Sequence, residues 1–168
     1  VHTLHWFINK LQLSNLDSEK VWAPVLTACS GLGLHQVVET LLAFVKPTED
    51  FVPAPLSAAI HWAALNGQIE ITRLLLRSTP NIDKHLVVSG VYLLRVVAEN
   101  GHSALLRDLL SSYSNWDDLA LIGDAFPLAV QRDYLSTAEL LLQECSDCID
   151  DDQLNEAVRV AISSGSIQ

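Results

Sequence analysis

Ile60-His61-Trp62-Ala63-Ala64-Leu65-Asn66-Gly67-Gln68-Ile69-Glu70-Ile71-Thr72-Arg73-Leu74-Leu75-Leu76 is the stretch of this 168-residue chain that decides its fold. A segment of apolar and small residues closes on Asn66-Gly67, after which Ile69, Ile71, Leu74 and Leu75 recur at the spacing of one helical face. The glycine stands where a helix stops and the chain reverses, a position that favours positive φ and strains any residue carrying a side chain. The same punctuation recurs on both sides. Gly33 and Gly101 lie at equal intervals before and after Gly67, followed by Val37-Val38 with Leu41-Leu42 in one case and by Leu109-Leu110 in the other. Asp133 stands in a glycine's place at nearly the same interval after Gly101, ahead of Leu140-Leu141-Leu142, and Gly165 follows Asp133 at that spacing again. Aspartate is among the better substitutes there, because its short polar side chain tolerates the left-handed region. A near-constant period in this range marks a solenoid of stacked repeats, each with an apolar face it cannot bury alone.

The run from Ile60 to Leu76 resembles the ankyrin repeat: an apolar residue, a histidine, paired alanines, a turn glycine, then a Glu-Ile-Val-like run into three leucines. The third unit keeps Leu94, Val97-Ala98, Asn100-Gly101-His102 and Leu109-Leu110, and the first keeps Leu26, Ala28, Gly33, Val37-Val38 and Leu41-Leu42. The resemblance covers roughly residues 22–165. Physical chemistry supports it separately. The small residues in Ala63-Ala64, Val97-Ala98 and Ala129-Val130 let one inner helix lie close on the next, where bulk would push the stack apart. The expected fold is therefore an all-α, ankyrin-like helical-repeat solenoid of about four to five helix pairs. Residues 1–16 form an N-terminal capping helix or degenerate repeat, with Leu4, Phe7, Ile8 and Leu11 at helical spacing. The repeats then run approximately over 17–47, 48–81, 82–114, 115–147 and, in part, 148–168.

The chain departs from the family in its repeat openings. No unit has the full hairpin tip followed by Thr-Pro-Leu-His; His61 alone matches the histidine, with Thr27, Arg95 and Pro127 at the equivalent positions. Residues 86–97, 119–130 and 154–162 are apolar and helix-like, so the inner helices are expected to be longer than usual and the hairpins shortened or absent. A helical-pair repeat of tetratricopeptide or armadillo type is the alternative. The tetratricopeptide period fits, but its Trp and Pro signature does not.

Twenty acidic residues against 10 basic ones leave a formal charge of −10, which opposes nucleic-acid phosphate and anionic membrane. No apolar run approaches the about 18 residues that span a bilayer. Hydrophobic residues make up 49% of the chain, enough for a core and high enough that some apolar surface is expected to belong to an interface. The chain begins without methionine and stops inside the fifth unit, so it reads as a monomeric fragment of a longer cytoplasmic protein. The acids concentrate between units at Glu49-Asp50, Asp83, Asp117-Asp118 and Asp147 with Asp150-Asp151-Asp152. They form either an acidic strip facing a basic partner or the ordinary carboxylates of loops and helix starts, where Asp150 and Gln153 would make a capping pair.

The reactive residues do not assemble into a site, and no catalytic, cofactor or metal role is expected of this chain. Cys145-x-x-Cys148 lacks the second pair or histidines of a zinc site and sits in a helical chain rather than beside a β-α-β unit. Cys29 occupies a small-residue core position, and the residues 147–156 lack the glycine and alternation of a calcium loop. His61 and His102 lie where ankyrin units carry a histidine that bonds backbone. The resemblance implies a protein-binding module whose concave groove is lined by residues before each turn and by the connections: Leu65, Asn66, Asp83, Glu99, Asn100, Trp116, Asp117, Asp118, Gln131 and Arg132. The partner is expected to be a protein with a basic or mixed surface, and Trp116 beside its acids a candidate anchor. The alternative is a regulatory or substrate-docking arm of a larger enzyme, or of a secreted bacterial effector acting in host cytosol, with catalysis outside this fragment.

Overall fold

A computed structural model describes residues 19–45, 54–79, 87–88, 91–112 and 122–164. The chain divides into two compact units, Val1–Gly90 and Val91–Gln168. The N-terminal segment 1–16 lies outside the described residues.

In the first unit, α1 (Glu19–Gly31) and α2 (His35–Val45) form one pair, and α3 (Ala54–Leu65) and α4 (Ile69–Arg77) form the next. Inner helix packs on inner helix and outer on outer, α1 against α3 and α2 against α4. In the second unit, α5 (Leu93–Glu99) pairs with α6 (Ser103–Ser112), and α7 (Ala125–Gln131) with α8 (Leu135–Glu144). A 3-10 turn at Ser146–Cys148 leads to α9 (Asp151–Ser164), which lies on α7 much as α7 lies on α5. This is an all-α helical-repeat fold.

Each pair reverses through the same hydrogen-bonded turn. The residue after the turn position donates its N–H five residues back: Leu34 to Cys29, Gln68 to Ala63, His102 to Val97 and Tyr134 to Ala129, at 2.8–3.1 Å. The turn residue itself donates three back, to Ser30, Ala64, Ala98 and Val130. That pair of bonds is the Schellman motif, which requires a left-handed residue. Gly33, Gly67 and Gly101 have φ of 78°, 66° and 74°, and Asp133, at 61°, holds the fourth turn. Asn66 and Asn100, each just before its glycine, add a third bond by donating Nδ2 to the Trp62 and Val96 carbonyls at 2.8 Å.

Within each unit, the residue after the second turn lies against the glycine of the first. A Cβ on Gly33 would stand 2.8 Å from Gln68 Oε1, and one on Gly101 would stand 2.6 Å from the Tyr134 ring. Gly101 is therefore needed twice, for backbone sign and for the close approach of the Tyr134 ring, whereas at Gly33 the amide end of Gln68 can move aside.

Ala59, Ala63, Ala64, Val97, Ala98, Ala125 and Ala129 are buried, as close packing between inner helices demands. The outer helices contribute Val38, Leu41, Leu75, Leu106, Leu109 and Leu141, each worth about 1.5–3 kcal/mol when fully buried. Polar residues intrude at Thr72 and Thr137, whose buried hydroxyls find no partner among the described residues.

Two expectations for the repeat openings are corrected. Residues 86–97 do not form a continuous helix: Val87–Val88 and Val91–Tyr92 are short strands, β1 and β2, and α5 starts only at Leu93. The β-branched and aromatic residues on either side of Ser89-Gly90 favour extended backbone over helix. Nor are α5 and α7 long, at 7 residues each. Gly123 sits just before α7, so close to the Cys148 backbone that a Cβ would overlap that carbonyl oxygen. Pro127 falls in the first turn of α7, where its missing N–H removes no helical bond. Residues 154–162, by contrast, lie wholly within α9.

Candidate protein-binding surface

Each unit exposes its own set of side chains. In the first unit, α1 and α3 present Val25 and Trp62 to solvent, with Leu32 and Leu34 exposed at the turn that follows α1. Trp62 is 48% exposed, and its Cβ lies 3.6 Å from where a Cβ on Gly31 would stand. The base of the tryptophan therefore packs at ordinary contact distance against the end of α1. Asn66 is exposed one turn further on and bonds the Trp62 carbonyl. Leu65 is half-buried. The ring of His61 meets that of Trp62 edge-on at 6.4 Å, and its buried Nδ1 finds no partner among the described residues.

In the second unit a polar network ties the inner helices together. Arg95 Nε donates to Glu99 Oε1 at 2.5 Å, and its Nη1 lies 3.6 Å from Asp124 Oδ2. The guanidinium is held above its ordinary range chiefly by the Glu99 hydrogen bond. Arg132 Nη1 donates to the Glu99 carbonyl at 2.6 Å, and Gln153 Nε2 donates to Asp124 Oδ1 at 3.0 Å. Gln153 also closes a capping box with Asp150: each backbone N–H donates to the other's side chain, at 2.8 and 2.9 Å. The acid at Asp150 thus acts first on the start of α9, while Asp151 and Asp152 fill its first turn and suit the helix dipole.

Of the residues expected to line a groove, Glu99, Asn100, Gln131 and Arg132 gather at the ends of α5 and α7, with Glu99 and Arg132 bonded to each other. Asn100 spends its side-chain amide on its own helix. Leu65 and Asn66 belong to the other unit. Asp83, Trp116, Asp117 and Asp118 lie outside the described residues. Sequence reasoning left out Arg95, Asp124 and Gln153 as site residues. The four-residue spacing of Arg95 and Glu99 signals their pairing, but Asp124 and Gln153 are too far apart in sequence to signal theirs.

The charge is distributed very unevenly. From Val91 to Gln168 the chain has 13 acidic residues and 4 arginines; before Val91 it has 7 acids and 6 bases. Almost the whole net charge belongs to the second unit.

The cysteines are held as thiols. Burial pushes the Cys145 thiol up from 9.0 to about 11, helped by Cys148 and Glu144, and burial raises Cys29 and Cys148 as well. A thiolate nucleophile needs the opposite shift. The shallow polar recess at the start of α8 includes Ser103, Tyr134 and Ser136, but Asp133 at its edge opposes an anion on that helix terminus.

The ankyrin repeat family model matches residues 57–85, a span that contains most of α3, the Gly67 turn and α4. This stretch is similar to an ankyrin repeat. Gly33, Gly101 and Asp133 repeat its turn with the same backbone sign, so the helix-pair pattern recurs on either side of the matched stretch. Ankyrin repeats are in general protein–protein interaction modules, typically without catalysis of their own. Comparison with curated proteins and with solved structures finds no match to the chain. No described helix is long and apolar enough to cross a membrane.

Proposed function

We propose that the chain binds a basic or mixed-surface protein, using Trp62 as an apolar anchor in the first unit and the acidic surface of the second to attract the partner. The exposure of Trp62 carries this reading. A large aromatic held half in solvent on an ankyrin inner helix, in the same unit as exposed Val25 and Leu32, forgoes burial that its neighbours obtain, and interface energy concentrates in such residues. The charge of the second unit supplies the complementary part, since excess surface charge sets association rate and specificity more than it sets affinity. Glu99, Gln131 and Arg132, with Asp117, Asp118 and Trp116 in the connection that follows α6, belong to this surface in the proposal.

The test selects binders from a displayed peptide library with the immobilised chain, then measures their kinetics. Trp62→Ala should speed dissociation about tenfold, and raising salt should slow association. Binders that left Trp62→Ala as slowly as the wild type, with association indifferent to salt, would refute the proposal.

A further inference from the structure

We infer that Cys145 and Cys148 form a redox modification site, a thiol pair that a small disulfide such as oxidised glutathione converts reversibly into an intramolecular disulfide across the turn between α8 and α9. The inference is independent of the protein-binding reading.

The backbone brings the pair together. Helix α8 ends at Glu144, and the 3-10 turn over Ser146–Cys148 follows it directly. The Cys148 N–H donates to the Cys145 carbonyl at 2.9 Å, so the two cysteines are the first and last residues of one hydrogen-bonded turn. Such a turn holds its end Cα atoms within about 7 Å, and disulfides usually span about 4.4–6.8 Å between Cα atoms. Both side chains are free thiols, and they are near enough that the charge of Cys148 raises the Cys145 thiol.

The turn is held on several sides. The Cys145 N–H donates to the Leu141 carbonyl at 2.9 Å, and the Ile149 N–H to the Ser146 carbonyl at 3.2 Å. The Cys148 carbonyl lies hard against Gly123, ahead of α7. Forming the bond therefore asks for little ordering that the fold has not already imposed.

Access orders the chemistry. Cys145 is 2% exposed, whereas Cys148 is half-buried and within reach of a small reagent. Cys148, losing its proton to solvent, attacks one sulfur of oxidised glutathione; the glutathione S–S bond breaks, a mixed disulfide forms, and one glutathione leaves as a thiolate that takes up a proton. Cys145 then loses its proton and attacks the Cys148 sulfur, expelling the second glutathione in the same way. Two cysteine thiols are oxidised and one glutathione disulfide is reduced to two thiols. Strongly oxidising pairs owe their potential to a reduced form stabilised as thiolate. Here burial, with Glu144 beside one thiol and Asp147 beside the other, disfavours ionisation of both. The bond should form slowly and resist reduction once made.

The test equilibrates the whole chain in glutathione buffers of rising oxidised-to-reduced ratio, quenches with acid, blocks remaining thiols with iodoacetamide and reads the products by mass spectrometry. Two thiols should disappear together, with the bond located between Cys145 and Cys148, Cys29 still blockable, and both thiols recovered by dithiothreitol. Half-oxidation should need a ratio at least about tenfold lower for the folded chain than for the chain in urea, because the fold holds the two sulfurs together. Cys145→Ser should trap glutathione on Cys148, at least about tenfold more than Cys148→Ser traps on the buried Cys145. Circular dichroism confirms that both variants fold. Wild-type chain that carried glutathione on Cys148 without closing the bond would overturn the inference, since the sulfurs then cannot meet. So would thiols that stayed blockable across the whole range, a bond between two chains, equal half-oxidation ratios in buffer and in urea, or equal trapping by the two variants.

Discussion

Replacing Gly101 with alanine tests the repeat at its most constrained point. The residue has φ of 74°, and a Cβ there would stand 2.6 Å from Cγ of Tyr134, with the rest of the ring nearly as close. An alanine in the left-handed region costs about 1–2 kcal/mol. Reduced freedom of the unfolded chain returns about 0.4–1 kcal/mol of that. The ring cannot stay where it is, and overpacking of this kind adds about 1–3 kcal/mol. The net expectation is a loss of about 2–3 kcal/mol in urea unfolding followed by circular dichroism, with the slope unchanged. The steric part is separable from the backbone part by a double-mutant cycle with Tyr134→Ala, in which the two changes should couple by about 1 kcal/mol or more. Because a linear array loosens locally, amide exchange should rise first in α5 to α8. An unchanged midpoint, or additive effects of the two substitutions, would refute the account of Tyr134 sealing the Gly101 turn.

The remaining expectations follow from single positions. Asp133→Gly should stabilise the chain by about 0.5–1 kcal/mol, measured as a higher urea midpoint, because glycine adopts φ of 61° without the strain that aspartate carries there. Thr72→Val should raise stability by about 1 kcal/mol in the same assay, since it removes a buried hydroxyl that has no partner among the described residues and keeps the shape. Gly123→Ala should lower the midpoint by an amount worth about 1–3 kcal/mol, because its methyl overlaps the Cys148 carbonyl oxygen and backbone must move. For Cys145, the unfolded thiol ionises as pH passes about 9 while the folded one keeps its proton until about 11, so between these values the unfolded state binds fewer protons and stability falls as pH rises. Midpoints measured at pH 8 and pH 10.5 should therefore drop less in Cys145→Ala than in the wild type.

What could be read from the sequence was what a single residue type determines. Glycine is the only residue that takes positive φ without cost, so three glycines at one interval located three helix reversals, and Asp133 could be recognised as the fourth because few other side chains tolerate that backbone. The capping box of Asp150 and Gln153 was legible for a related reason: both partners lie within three residues of each other. The helix expected over 86–97 failed where apolar character alone was used, since Val87, Val88, Val91 and Tyr92 suit a buried helix and a strand equally well. Ser89-Gly90 was the local signal that separated the two.

The surface was less legible because it depends on pairs distant in sequence. Trp62 is half exposed although its base lies against Gly31, one repeat earlier, a neighbour that the sequence alone does not bring beside it. Asp124 is engaged by Arg95 and Gln153, from the helices on either side of α7, so its role follows only from stacking α5, α7 and α9. The same reasoning separates acids by function. Asp124 and Asp150 spend their oxygens on the fold, and Asp151 and Asp152 fill the first turn of α9, where they suit the helix dipole. The acidic count of the second unit therefore overstates the charge free to act on a partner, because several of its carboxylates are already committed to helix starts and to Arg95 and Gln153.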